Sequence, residues 1–175
     1  HPAVQSALEY LRNEQEDDGS WFGRWGTNYV YGTWSVLCAM NAVGVPSDDP
    51  AVRKAVAWLK SRQRPDGGWG EDGATYWEDR KDEAKASTAT QTSWAVLALM
   101  AVGEVNAPEV RDGIGYLLSA PHQNGKWEEK YYNAVGFPKV FYLLYHGYSA
   151  YFPVWALARY RNLRAGNAAT TQWGM

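Results

Sequence analysis

Two kinds of segment alternate along the chain. The first carries one apolar stripe at helical spacing: Val4, Leu8 and Leu11, then Val52, Val56 and Leu59, then Val110, Ile114 and Leu117. These stripes predict short amphipathic helices over 4–14, 51–62 and 108–119. Two of them have good starts. Ser47-Asp48-Asp49 precedes Pro50 and Asn106-Ala107 precedes Pro108, each offering a capping side chain before a proline. The second kind is apolar on most of its surface and predicts helices over 31–42 and 90–102, with a last one ending in 152–163. Thr33-Trp34-Ser35-Val36-Leu37 matches Ser93-Trp94-Ala95-Val96-Leu97, and Val154-Trp155-Ala156-Leu157 is a looser third match.

Between the two kinds lies a turn that repeats. Tyr10, Gln15 and Trp21 have the same spacing as Trp58, Gln63 and Trp69, and as Tyr116, Pro121 and Trp127. Asp18-Gly19-Ser20, Asp66-Gly67-Gly68 and Asn124-Gly125-Lys126 precede the three tryptophans, and Ala7, Ala55 and Gly113 stand three before the aromatics. Copies about fifty residues apart are the mark of a repeat architecture. In each copy the Gln can bond backbone groups left open at a neighbouring helix end. Gly allows a tight turn with positive φ, and Trp buries a large apolar area over it. Gln15, Trp21, Gln63, Trp69 and Trp127 are therefore read as structural staples.

A helix apolar nearly all round needs neighbours all round. Stacking polar-helix and apolar-helix hairpins in a ring gives an all-α fold, an α/α toroid, with the apolar helices inside. Three hairpins make half of a six-hairpin barrel, so the expectation is a piece of a longer chain, or one that self-associates. Two insertions break the period, a charged one over 73–88 and an aromatic one over 128–151. Function on repeat scaffolds tends to sit in such segments.

Composition narrows the chemistry. Seventeen basic residues against nineteen acidic ones leave no field for nucleic acid. The single cysteine, Cys38, excludes an intrachain disulfide framework and reads as a buried thiol. No apolar run reaches the roughly 20 residues of a membrane span. The anomaly is aromatic: ten Trp and twelve Tyr against four Phe, more than the repeat positions use.

The turns from Gln63 to Trp69 and from Gln15 to Trp21 resemble the QW motifs of the triterpene cyclases, and the stretches 18–34, 87–95 and 136–160 closely resemble the bacterial squalene–hopene cyclases. The similarity runs to about Arg161, giving an expected partial barrel over 1–163 and an unassigned tail over 164–175. The resemblance implies cyclisation of squalene, or a similar polyprenoid, to hopene or hopanol, without metal or cofactor, in a peripheral, membrane-associated bacterial enzyme. This chain resembles only the C-terminal part. It has Pro121 where the third turn expects Gln, and it lacks the family's Asp-x-Asp-Asp acid motif, which is expected upstream. Asp17-Asp18 and Asp48-Asp49 read as a turn and a helix start. The isolated chain is therefore expected to be inactive.

Polyene cyclisation needs a strong acid and a dry wall that stabilises cations without capturing them; aromatic faces do the second. The resemblance implies that Trp25 lies near early-ring cations and Tyr31 near the acid's network. It places Phe137, Phe141, Tyr145 and Tyr148 on a later-ring wall. Their spacing predicts one helical stripe, with Pro138 in the first turn of its helix. Three rival readings share the toroid. A zinc-dependent prenyltransferase subunit would need ligands, but Cys38, His1, His122 and His146 show no ligand spacing. A carbohydrate-active toroid would use a carboxylate pair from Asp66, Glu71 or Glu128. A non-catalytic scaffold needs neither.

Overall fold

The computed structural model describes residues 1–81, 86–120, 122–124 and 126–166. Pro121, Gly125 and most of the expected tail, residues 167–175, lie outside the described residues. Among the described residues six α-helices alternate as expected: α1 (Pro2–Asn13), α3 (Pro50–Ser61) and α5 (Pro108–Ser119) are the amphipathic set, and α2 (Tyr29–Ala42), α4 (Ala89–Ala101) and α6 (Tyr148–Arg164) the inner set.

Helix starts follow local chemistry. The Asp49 carboxylate accepts the Ala51 N–H at 2.9 Å, and His1 Nδ1 accepts that of Ala3 at 3.2 Å, each before a proline that has no N–H to leave open. The expected cap at Asn106 does not form. Ala107 occupies the cap position before Pro108, and Asn106 meets the Arg164 guanidinium instead.

The apolar helices form the inner row. α4 is buried along its whole length, flanked by α2, α6 and α5. Each end of the row has an open side: Ser35, Ala39 and Ala42 on α2, and Tyr151, Val154 and Trp155 on α6, are exposed. This is the arrangement of an arc from a ring, in which only the central inner helix has all its neighbours.

The third turn differs from the first two. It is a hairpin in which β1 (His122–Gln123) pairs antiparallel with β2 (Lys126–Trp127), and Asn124 takes a positive φ of 53°. His122 packs its ring 5.5 Å from that of Trp127.

The aromatic insertion corrects the expected helical stripe. Residues 134–143 form a second hairpin, β3 (Ala134–Phe137) against β4 (Phe141–Leu143), with Phe137 opposite Phe141. Pro138 is a turn residue, not a helix start. It precedes Lys139 at φ 67°, and the Val140 N–H closes the turn on the Phe137 carbonyl at 3.0 Å, which is the geometry of a type II turn. Lys139 has its ammonium 4.9 Å from the Trp77 ring, which ties this strained residue to the other insertion. Gly136 is required beneath the hairpin, because a Cβ there would lie 2.0 Å from the Phe141 ring.

The charged insertion opens with two short 3-10 turns, Gly73–Tyr76 and Glu78–Arg80. It packs on the aromatic one. Tyr142 Oη donates to the Gly73 carbonyl at 3.3 Å, and Tyr76 Oη donates to the Gly23 carbonyl at 2.7 Å. The segments that break the repeat thus converge at one end of the inner row.

Candidate functional site

The repeated turns fasten neighbouring hairpins. Gln15 Nε2 donates to the Gly19 and Ala51 carbonyls at 3.0 and 2.9 Å, and Gln63 Nε2 to those of Gly67 and Glu109 at 2.8 and 2.9 Å. Each Gln therefore spans its own turn and the first turn of the next outer helix. The carbonyl it reaches lies in the first turn of the neighbouring helix and is not one of the groups that a helix end leaves open. The carbonyls left open at the helix C-termini are met by the tryptophans. Trp21, Trp69 and Trp127 donate their indole N–H to Leu11, Leu59 and Leu117 at 2.6, 2.8 and 2.9 Å. Each indole satisfies a last-turn carbonyl of its own outer helix while its ring is buried. Gly113 explains the small residue before the aromatic: a Cβ there would lie 2.6 Å from Val96 and 2.9 Å from Trp69. Asp18 accepts Ser20 N–H at 3.0 Å and Trp58 Nε1 at 3.1 Å, which supports its reading as a turn residue.

Two half-buried acids were not legible in the sequence as helix caps. Glu71 Oε2 accepts the Asn28 and Val30 N–H groups at 3.0 and 2.9 Å, at the start of α2. Glu129 accepts the Thr90 N–H at 2.6 Å and its hydroxyl at 2.9 Å, at the start of α4. Both stand two residues after a turn tryptophan, and each reaches back to the inner helix of the preceding hairpin. That offset was the available signal. Burial pushes the Glu71 carboxyl up to about 7, against the pull of the two N–H groups and of Arg62. Burial also raises Glu129, against its bonds from Thr90 and Asn133. Glu71 borders a cavity of about 180 Å³ shared with Asp18, Tyr29, Arg62 and Lys81.

The implied wall residues fall into three linked groups. Tyr31 on α2 lies 5.1 Å from Trp94, Trp94 lies 5.9 Å from Tyr148 on α6, and Tyr148 lies 5.0 Å from Tyr145. Trp34 and Phe152 complete this cluster: Trp34 stacks on Trp94 at 5.9 Å, and Phe152 meets Trp94 edge-on at 5.4 Å. In the sequence Trp34 and Trp94 stand out only as repeat positions, and Phe152 only as part of the last helix. Phe137 and Phe141 form a separate edge-to-face pair at 5.7 Å on the hairpin. Trp25 joins them through the backbone. Its carbonyl accepts the Val135 N–H at 3.0 Å and Gly26 forms an isolated antiparallel bridge to Ala134, so its segment is tied to the edge of β3. Arg24 holds its guanidinium 5.1 Å from the Trp25 ring. The rings of Trp25, Phe137, Phe141 and Tyr145 are 45–58% exposed, and Tyr31 is half-buried with its phenol raised by desolvation.

Other candidates have structural partners. Asp66 accepts Gly68 N–H at 3.0 Å and Ser87 Oγ at 2.7 Å, so with Glu71 committed to α2 the two do not form the free carboxylate pair of a glycosidase. Cys38 is buried and its thiol is pushed up to about 12 by desolvation. Among the described residues no cluster of His, Cys, Asp and Glu could hold a metal ion, and no helix is long and apolar enough to cross a membrane.

An arc of helical hairpins stapled by Gln-to-Trp turns, with aromatic rings gathered along its inner row, is the architecture of a terpene cyclase barrel. A type II terpene cyclase from Scytonema, MstE, solved with merosterolic acid A, shares the fold at a TM-score of 0.63 and 22% identity, over 94% of this chain and 50% of that one. The profile described as Squalene-hopene cyclase C-terminal domain matches residues 1–162, and the chain belongs to that family. It is 57% identical to squalene–hopene cyclase of Bradyrhizobium diazoefficiens over 98% of this chain, and 52% identical to that of Alicyclobacillus acidocaldarius over 90%. A more distant relative, mouse lanosterol synthase, is 36% identical over 94%. The chain spans about a quarter of the length of these relatives.

Proposed function

We propose that this chain is the cavity-lining C-terminal region of a squalene–hopene cyclase. In that role it helps convert squalene, or a similar polyprenoid, to hopene or hopanol through carbocations. Trp25, Tyr31, Phe137, Phe141, Tyr145 and Tyr148 present ring faces to those cations. The proton comes from an acid outside these residues. Peripheral attachment of the complete enzyme to a bilayer belongs to the same reading.

The observation that carries it is the disposition of rings and acids. Trp25, Phe137, Phe141 and Tyr145 are left open on the surface, while Glu71 and Glu129 are tied to helix starts. A wall of this kind attracts a cation through ring quadrupoles at about 2 kcal/mol when desolvated. It also presents little that would capture the cation.

The test uses a complete enzyme in which residues 1–166 replace the matching segment of the Bradyrhizobium cyclase. Phe141→Ala should keep early ring closure and raise the share of incompletely cyclised products by about threefold to tenfold. Phe141→Trp should hold that share near the unsubstituted value where the larger ring fits. An unchanged product ratio with a lowered melting temperature would reduce Phe141 to packing.

A further inference from the structure

Asn133 is buried one residue before β3 and has every polar group engaged. Its backbone N–H donates to the Leu143 carbonyl at 3.2 Å, and its carbonyl accepts the Thr27 N–H at 3.2 Å. Those two bonds tie β4 to the segment that carries Trp25. Its side chain does something different. Oδ1 accepts the Tyr145 N–H at 2.8 Å, while Nδ2 donates to the Tyr145 carbonyl at 3.2 Å and to Glu129 Oε2 at 3.3 Å. Glu129 in turn holds the first turn of α4 through Thr90.

Tyr145 lies between the end of β4 and the start of α6, outside both. The Asn133 amide grips its N–H and its carbonyl together, as a strand partner would. The carbonyl also accepts the Tyr148 N–H at 3.0 Å, where α6 begins. A side chain's direction follows from its backbone, so fixing both peptide groups aims the ring. The line of bonds runs from α4 through Glu129 and Asn133 to Tyr145. It joins the rigid centre of the fold to a ring that is otherwise half open.

We propose that Asn133 is a positioning residue for cyclisation: its side-chain amide holds the Tyr145 backbone and so aims that ring at the late cation. This rests on the cyclase reading above and deepens it. An enzyme that works by fixed geometry loses rate and fidelity when a wall group drifts by about 1 Å, so the effect of Asn133 must pass through Tyr145.

The grafted complete cyclase supplies the test. Asn133→Ala should raise the share of incompletely cyclised products by about threefold to tenfold. In a Tyr145→Ala background the same substitution should add nothing, because a residue acting through Tyr145 has no effect once that ring is gone. Product ratio reads only molecules that turned over, so a smaller folded fraction does not move it. Hydrogen exchange gives a readout independent of turnover: the Tyr145 amide should exchange about fivefold to tenfold faster in Asn133→Ala. Asn133→Ser keeps one acceptor for that amide and should show smaller shifts of the same kind, and it serves where the alanine variant fails to accumulate. An unmoved product ratio, an equal shift in the Tyr145→Ala background, or unchanged exchange at Tyr145 would each overturn the proposal. A folded graft without turnover would instead overturn the cyclase reading, and the exchange measurement would still report on the clamp.

Discussion

Trp69 has no exposed surface, and its indole N–H ends on the Leu59 carbonyl at 2.8 Å. Replacing it removes the largest side chain in its turn and leaves that last-turn carbonyl without its indole donor. Trp69→Ala should cost roughly 3–5 kcal/mol and lower the melting temperature of the complete enzyme, about four times this chain's length, by about 2–4 °C. The ratio of products should stay fixed, since the ring faces the turn and the neighbouring outer helix. A moved ratio at constant melting temperature would place this ring on the substrate. The staple itself was legible, because Gln63, Gly67 and Trp69 recur at fixed spacing in a sibling turn. Glu71 and Asn133 were not legible as partners. Their bonds reach Val30 and Thr27, far away in sequence, and a lone acid or amide in a loop does not announce a partner at that distance.

At the scale of elements, periodicity located the six helices of the described residues within a few residues, because α1 to α5 carry their stripe or apolar run without interruption, while α6, with Pro153 inside it and Arg159, Arg161 and Arg164 in its second half, was the least sharply bounded. It failed for the segment 134–145. Phe137, Phe141 and Tyr145 are spaced by four, which suits a helix, and Pro138 suits a helix start. The same residues also suit a hairpin closed by a Pro-Lys turn, and the close approach of Phe141 to Gly136 goes with the hairpin. Two wall residues therefore sit on facing strands instead of one helix face.

Helix starts carry a prediction of their own. The folded form holds Glu71 near 7, above the ordinary carboxyl value of 4.5, so between those values it binds a proton that the unfolded chain releases. Stability should therefore fall as pH rises through about 4.5 to 7 and level off beyond. Glu71→Gln keeps an oxygen for the α2 N–H groups and has no charge to bury, so its thermal stability should lose most of that slope. Glu129, raised in the same direction, leaves a residual slope. Asp18 acts the other way and lower: burial alone would raise it, but bonds from Ser20 and the charge of Lys81 bring it below 3.8, so its contribution disappears only in acid. Parallel melting curves for Glu71→Gln and the unsubstituted enzyme across this window would contradict the assignment.

As a whole molecule, the chain is an arc with a finished middle and open sides. α4 is enclosed, but Tyr151 and Val154 on α6 are 71% and 56% exposed. Apolar faces of this kind drive association, so the arc is suited to the company of further hairpins. The toroid was legible because three copies of one hairpin imply a ring. The cavity was not, because a wall is defined by what faces it across the ring. The proposed function divides the labour accordingly: these residues stabilise the cation, and an acid elsewhere creates it. Incubation with squalene, followed by product analysis, tests that division most directly. The chain of residues 1–175 by itself should yield no cyclised product, and the graft that restores a complete cyclase should yield pentacyclic hopene or hopanol. Cyclised product from the chain alone, or none from a folded graft, would contradict the account.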